Sequence, residues 1–148
     1  MKICQNCLAI HDGKKWMKNM EKKEKIGDRE LKKVLCEACK RKRDKIVYGI
    51  VYLEGPVLKE RRDEIMQMIK KEEEIESSHN HLSQVLSIDA DEDKMTITTI
   101  NQWLALHLGK QFQKTFKGRL DIERDTSGRR GRGTKGREEV VVRWQQAA

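Results

Sequence analysis

The chain has little of what builds a large hydrophobic core. Of its 148 residues, 5% are aromatic and 36% are hydrophobic, whereas 38% are charged. Proline occurs once, at Pro56, and no apolar run approaches the roughly 20 residues that a membrane-spanning helix needs. The first residues, MKICQNCLAI, are too short and too polar for a signal peptide. We therefore expect a cytoplasmic protein with no membrane partner, built from small units.

Recognisable catalytic motifs are also missing. The Gly-rich stretch at residues 127–137 lacks the GK[ST] ending of a phosphate-binding loop. No nucleophile elbow occurs, and no acid pair stands out from the many carboxylates. The sequence therefore favours a binding protein over an enzyme, with no small-molecule substrate.

The chain has four cysteines, arranged as two CxxC pairs. They are Cys4, Cys7, Cys36 and Cys39. Two such pairs are typical of a tetrahedral tetrathiolate site, in which each pair forms a knuckle whose sulfurs point at one metal ion. Four protein ligands fill the coordination shell, so we predict a single structural Zn²⁺ and no catalytic metal.

Other uses of the four thiols stay open at this stage. A mononuclear iron centre has the same ligands. Two disulfides would need an oxidising compartment, which nothing in the sequence indicates. Dithiol redox chemistry of the thioredoxin type needs only one CxxC pair. The histidines add little: the segment 79–81 (HNH) is interpreted as a polar linker, and His107 as a partly buried helix residue.

Positive charge is concentrated in two places. The formal net charge is +8, and residues 1–53 alone carry 15 Lys/Arg against 7 Asp/Glu. A tetrathiolate zinc contributes about −2, which leaves roughly +6 for the whole chain. This balance favours an anionic partner. A run of four cations follows the last cysteine, and a Gly/Arg loop within residues 125–138 carries five more.

We predict that these nine cations bind nucleic acid, because lysine and arginine pair with phosphates and arginine also stacks on unpaired bases. The candidates are Lys40, Arg41, Lys42, Arg43, Arg129, Arg130, Arg132, Lys135 and Arg137. The competing interpretation is a solvated helix turn for the first cluster and a solvated hairpin loop for the second.

The patterning predicts an α+β protein with three parts. Residues 1–53 are expected to form a Cys4 zinc ribbon or knuckle module that ends in a strand at 46–53 (IVYGIVYL). Residues 54–80 are expected to form an amphipathic helical connector. Residues 81–148 are expected to form a ββαββ domain with a mainly antiparallel sheet, in which a helix at about 100–116, capped by Thr99, buries Trp103 among its apolar residues.

Several motifs together resemble a known family. The segments CQNC, LCEAC, IVYGIVYLEG, ITTINQWLALHLGKQFQKTFKGRLDIE and EVVVRW are similar to those of ribosomal large-subunit export adaptors named after nonsense-mediated decay, and most similar to their short prokaryotic relatives. The resemblance covers about residues 4–144. It implies a non-enzymatic, RNA-facing protein that docks on the large ribosomal subunit, with Cys4, Cys7, Cys36 and Cys39 as metal ligands.

The chain also departs from the longer members of that family. It has one set of paired CxxC motifs where they carry two zinc modules, and it has no leucine-rich export-like tail. The resemblance therefore does not imply a role in nuclear export for this chain. The sequence predicts a zinc-ribbon RNA-binding protein associated with the large ribosomal subunit or its precursors. Alternatives are a DNA-binding, transcription-associated zinc ribbon and a protein-interaction adaptor.

Overall fold

A computed structural model describes residues 1–17, 31–125 and 139–147. The N-terminal part is a small sheet followed by a short helix. Its elements are β1 (Lys2–Cys4), β2 (Ile10–His11), β3 (Trp16–Met17), β4 (Lys32–Val34) and α1 (Glu37–Arg43). The strand order is β3-β2-β1-β4, in which β1 runs antiparallel to β2 and parallel to β4. We call residues 1–17 and 31–45 the metal module.

The second part is a five-stranded sheet with helices. Its elements are β5 (Gly49–Glu54), α2 (Val57–Glu60), α3 (Arg62–His79), β6 (Val85–Ala90), β7 (Lys94–Thr99), α4 (Gln102–Thr115), β8 (Gly118–Asp125) and β9 (Glu139–Gln146). The strand order is β6-β7-β5-β9-β8. Only the β5–β9 ladder is parallel among the strands of this sheet. The mixed α+β class and the mainly antiparallel sheet are confirmed.

The position of β5 differs from the sequence-based prediction. That strand was assigned to the metal module, but it lies at the centre of the five-stranded sheet, between β7 and β9. Val51 and Leu53 face the buried side and pair with Ile97 and Met95 of β7. Strand β5 therefore separates β7 from β9 and adds a fifth strand to the four of the predicted ββαββ unit. An apolar strand of this kind is typical of the interior of a sheet.

The predicted connector helix is two helices. The chain breaks at Arg61, whose φ of −124° and ψ of 35° are not helical, so α2 and α3 are separate. Ile65 and Ile69 form the buried side of α3. The helix is fixed to α4 by His107, whose Nε2 lies 2.5 Å from Glu72 Oε2. This contact confirms His107 as a partly buried, hydrogen-bonded helix residue.

Helix α4 packs on one face of the five-stranded sheet. It begins after Asn101, whose Oδ1 accepts a hydrogen bond from the Leu104 amide at 3.0 Å, so the predicted cap at Thr99 was two residues too early. A Cβ on Gly109 would lie 2.5 Å from Val142 Cγ1 of β9. Only glycine therefore lets the α4 backbone lie this close to β9. Trp103 is 53% exposed, which contradicts its predicted place on the buried side of the helix.

Two clusters of buried residues hold the described parts together. The larger one lies between the sheet and helices α2, α3 and α4, with Trp144 and Phe112 as its largest members. The smaller one combines three of the cysteines with Ile100, which precedes α4. None of the helices in the described ranges is long and apolar enough to cross a membrane.

Candidate metal centre

The parallel pairing of β1 and β4 brings the two CxxC motifs together. Cys4 is opposite Val34 at the end of the ladder, so both motifs leave the same edge of the small sheet. In the first knuckle the Cys4 amide donates to Ala9 O at 2.8 Å, and the Leu8 amide donates to Cys4 O at 3.0 Å. Leu8 turns the chain back with a φ of 64°. The pairing of strands from residues about 30 apart thus explains the tetracysteine geometry.

The second knuckle is the start of α1. Cys36 is the N-cap residue, and its Sγ accepts a hydrogen bond from the Cys39 amide at 3.4 Å. The Cys36 amide donates in turn to Cys4 Sγ at 3.4 Å, and Asn6 Nδ2 donates to Cys39 Sγ at the same distance. These N–H donors are of the kind that stabilises negative charge on metal-bound sulfur.

The four sulfurs have the spacing of a tetrahedral metal site. All four Sγ atoms lie within 4.8 Å of one another. The Cys4–Cys39 and Cys7–Cys36 sulfur pairs are each 3.7 Å apart. A tetrahedral tetrathiolate with metal–sulfur bonds of about 2.3 Å has sulfur–sulfur edges of about 3.8 Å. The four predicted ligands therefore form one group that can hold a metal ion.

The local environment shifts the pKa values of Cys4, Cys7 and Cys36 in different directions. Burial tends to raise the pKa of Cys4, but hydrogen bonds from the backbone of Cys36, Cys7 and Asn6 outweigh it and lower that pKa to about 6. Burial raises the pKa of Cys7 to about 11, and it raises the pKa of Cys36 as well. Cys4 therefore ionises before Cys7 and Cys36, and its negative charge makes their ionisation harder.

A histidine that the sequence analysis assigned to a linker lies against this cluster. His81 Nε2 is 3.4 Å from Cys36 Sγ and 3.9 Å from Cys7 Sγ. Its ring stacks on Trp16, with centroids 6.0 Å apart and an interplanar angle of 28°. The sequence carried no local signal for this contact, because His81 follows α3 and is far from either CxxC motif in the chain.

The metal module packs against the second part of the protein. Leu82, Leu86 and Ile100 pack with the buried cysteines and Ala38. From the module side, Arg41 Nη1 donates to Ile100 O at 2.7 Å. The guanidinium also lies over the Tyr48 ring, 5.0 Å from its centroid. The tetracysteine group is therefore part of the interface between the module and the five-stranded sheet domain.

The four predicted nucleic-acid residues on α1 have different environments. Lys40 is exposed, and Lys42 is half-buried beside α3. Arg43 is exposed and pairs with its neighbour Asp44, with Nε 3.0 Å from Oδ1. Arg41 is buried, and its guanidinium donates across the interface to Ile100 O. Arg129, Arg130, Arg132, Lys135 and Arg137 lie outside the described residues.

Charge is distributed unevenly between the two parts. Residues 1–17 and 31–45 carry ten Lys/Arg against three Asp/Glu. Residues 46–125 and 139–147 carry twelve Lys/Arg against sixteen Asp/Glu. The metal module is therefore strongly cationic and the rest of the described chain is weakly acidic.

The fold and the site together define a small α+β protein in which a tetracysteine module packs on a β-sheet domain. No family model and no curated protein sequence matches this chain. The family resemblance of the sequence motifs therefore stays a prediction.

Proposed function

We propose that this protein is a non-enzymatic zinc protein that binds RNA through its cationic metal module. The observation that carries the proposal is the excess of ten cations over three acids in the described residues of the module, next to an acidic remainder. Clustered lysine and arginine bind phosphates and release counterions, which supplies most non-specific affinity for nucleic acid. On the motif resemblance, the expected partner is the large ribosomal subunit or its precursors.

Zinc is the proposed ion, and its role is structural. Cys4, Cys7, Cys36 and Cys39 would hold it, and their 3.7 Å sulfur–sulfur contacts fit its tetrahedral thiolate geometry. The bound ion supplies folding free energy to a module whose strands are two or three residues long. It thereby fixes the cations of the module in place.

Lysines on the small sheet support an anion-binding surface. Lys2 of β1 is directly opposite Lys32 of β4, and both side chains are exposed. Like charges at facing positions repel each other, and a bound phosphate would relieve that repulsion. Lys40 adds a third exposed cation on α1, directly after the last cysteine.

The ends of the Gly/Arg loop support one shared binding surface. Asp125 pairs with Glu139 where β8 and β9 flank the loop, and the Val140 amide donates to Tyr48 O at 2.9 Å. Tyr48 lies just after the metal module and contacts Arg41 of α1. The described residues on either side of this segment therefore lie at the end of the sheet that adjoins the metal module. We propose that Arg129, Arg130 and Arg132 contact the same RNA as the module.

An exposed aromatic ring favours unpaired RNA over a duplex. Trp103 is 53% exposed and lines a cavity of about 190 Å³ together with Arg41 and Tyr48. An unpaired base can stack on such a ring, whereas the bases of a duplex are already stacked on each other. The cavity adjoins α1, so a base bound there would bring its phosphates toward the cations of the module.

The test is co-sedimentation of the zinc-loaded protein with ribosomal subunits on a gradient, with and without RNase. Variants Lys2→Gln, Lys32→Gln and Lys40→Gln are combined in one protein. The matched control combines Lys110→Gln, Lys114→Gln and Lys117→Gln, which removes three exposed charges at the far end of α4. We expect the module variant to leave the subunit fractions and the control to stay.

The same experiment separates the other candidates. If RNase treatment and the triple substitution in the metal module both left co-sedimentation unchanged, the proposal would be contradicted and a protein partner favoured. A groove of about 510 Å³ between α3 and β6, lined by Met66 and Ile88, is the observation that favours that second candidate. A separate competition assay addresses the DNA-binding alternative. If duplex DNA displaced bound RNA from the protein as strongly as single-stranded RNA does, that alternative would be favoured.

A further inference from the structure

His81 reaches the metal centre from the other part of the protein. It lies in the turn between α3 and β6, and its Nε2 is 3.4 Å from Cys36 Sγ and 3.9 Å from Cys7 Sγ. The imidazole therefore covers the Cys7–Cys36 edge of the tetracysteine group. Cys7 is the exposed member of the four, so this edge is the side of the site nearest to solvent.

The His81 ring is held in place by an aromatic contact and by the turn that carries it. Trp16 of β3 stacks on it, and His11 of β2 in turn packs edge-on against Trp16, with centroids 5.1 Å apart. The main chain that carries the ring is held within the turn, where Gln84 Nε2 donates to the backbone oxygen of His81 at 2.6 Å. A ring held in this way loses little conformational entropy when it makes a further hydrogen bond. The contact with sulfur is therefore preorganised.

The geometry fits a hydrogen-bond donor better than a fifth ligand. Among the described residues, Cys4, Cys7, Cys36 and Cys39 form a group whose ligand atoms all lie within 4.8 Å of one another, and four thiolates fill a tetrahedral zinc shell. Once a metal ion has converted Cys36 to a thiolate, its sulfur can only accept, so a hydrogen bond from His81 requires that Nε2 carry the hydrogen. An N–H donor of this kind reduces the charge on a metal-bound sulfur and orients it.

The turn that contains His81 continues to the start of α4. The Ser83 amide donates to Asn80 O at 2.8 Å, and Asn101 Nδ2 donates to Ser83 Oγ at 2.9 Å. Asn101 is the residue that caps α4. The backbone of the turn thus joins the contact at the Cys36 sulfur to the hydrogen bonds at the N-terminus of the helix that packs on the sheet.

We propose that His81 is a positioning residue of the metal centre: its Nε2–H donates to Cys36 Sγ and couples metal binding to the order of the turn at residues 80–84. The proposal rests on the metal-binding part of the proposed function. Metal occupancy then determines how firmly the cationic module is held on the sheet domain.

The test uses the full chain with Zn²⁺ and with Co²⁺ as a spectroscopic probe. Variants His81→Ala and His81→Gln are compared with His79→Ala, an exposed histidine two residues earlier. Zinc affinity is measured by competition with a chromophoric chelator. We expect a 10–100-fold loss for His81→Ala, partial recovery for His81→Gln, whose amide can donate, and no change for His79→Ala.

Two spectroscopic readouts separate positioning from general destabilisation. The thiolate-to-cobalt charge-transfer band should shift in His81→Ala, while the ligand-field bands keep the pattern of four thiolates. Hydrogen exchange at the Leu82, Ser83 and Leu104 amides should slow on metal binding in the wild type and respond much less in His81→Ala. His81→Gln should restore part of that response.

Three other outcomes would contradict the proposal or the proposed function on which it rests. Unchanged zinc affinity and an unchanged charge-transfer band in His81→Ala would overturn the proposal. Ligand-field bands that report the loss of one ligand would also overturn it, because His81 would then bind the metal directly. If the wild type itself bound no metal through four thiolates, the proposed function would fail first, and the wild-type spectrum alone would show this.

Discussion

Arg41 of α1 donates from Nη1 to the carbonyl oxygen of Ile100, 2.7 Å away, at the junction between β7 and α4. The side chain crosses the interface between the metal module and the sheet domain. It is buried, and its guanidinium also lies over the Tyr48 ring. One member of the basic run after Cys39 therefore holds the module against the sheet domain.

Replacing Arg41 should cost stability, whereas replacing its neighbour Lys40 should not. Arg41→Gln removes a charge-assisted hydrogen bond to a buried carbonyl, and such bonds contribute about 1.5–3 kcal/mol. Lys40→Gln, an exposed substitution, should stay within about 0.5 kcal/mol. Urea unfolding of the zinc-loaded proteins measures both. Equal effects of the two substitutions would contradict the assigned role of Arg41.

Proton release on zinc binding should depend on pH because of Cys4. Its pKa is lowered from 9.0 to about 6, so this thiolate stabilises the metal-free fold above pH 9.0 and that contribution is lost as pH falls through about 6. The pKa of Cys7 is raised to about 11, which has the opposite effect: its contribution is present below pH 9.0 and is lost as pH rises through about 11.

The measurable consequence is a change in proton count. At pH 7.5 Cys4 is already ionised while Cys7 and Cys36 are protonated, so zinc should release at least two protons but fewer than four. At pH 5 Cys4 is protonated too, and release should rise by about one proton. Calorimetry in buffers of different ionisation enthalpy counts these protons. A count that is the same at both pH values would contradict the lowered pKa of Cys4.

Trp103 should matter for unpaired RNA and little for stability. Trp103→Leu removes an exposed stacking surface, and stacking of a base on an aromatic ring is worth about 1–3 kcal/mol. We expect a loss of affinity of about 5- to 150-fold for a single-stranded RNA of mixed sequence, with partial recovery in Trp103→Phe. Fluorescence anisotropy with labelled RNA measures this loss. An unchanged affinity would remove the stacking role and leave the electrostatic part of the proposal intact.

Much of the metal centre could be predicted from the sequence because its signal is local. Each CxxC pair is complete within four residues, and the chemistry of thiolate ligands leaves few alternatives for two pairs. The strand at Gly49–Glu54 was also recognised, because its apolar, β-branched run is local as well. The strands that pair with β5 could not be predicted, because its antiparallel pairing with β7 and its parallel pairing with β9 depend on the tertiary fold.

The sequence could not distinguish the roles of neighbouring cations or the contact of His81. Lys40 and Arg41 differ by one position on a helix, and only the packing of α1 on Ile100 decides which of them is buried. His81 lies two positions from the exposed His79, in a turn whose course is set by α3 and β6. Both outcomes depend on how separate elements pack, which local patterns do not encode.

The salt dependence of RNA affinity tests the central claim most directly. For single-stranded RNA, the slope of log K against log salt concentration is about −0.7 for each phosphate contact. We predict that combining Lys2→Gln, Lys32→Gln and Lys40→Gln makes the slope shallower by about 2, while the matched variant of Lys110, Lys114 and Lys117 keeps the wild-type slope. A slope that both triple variants leave unchanged would contradict RNA binding through the metal module.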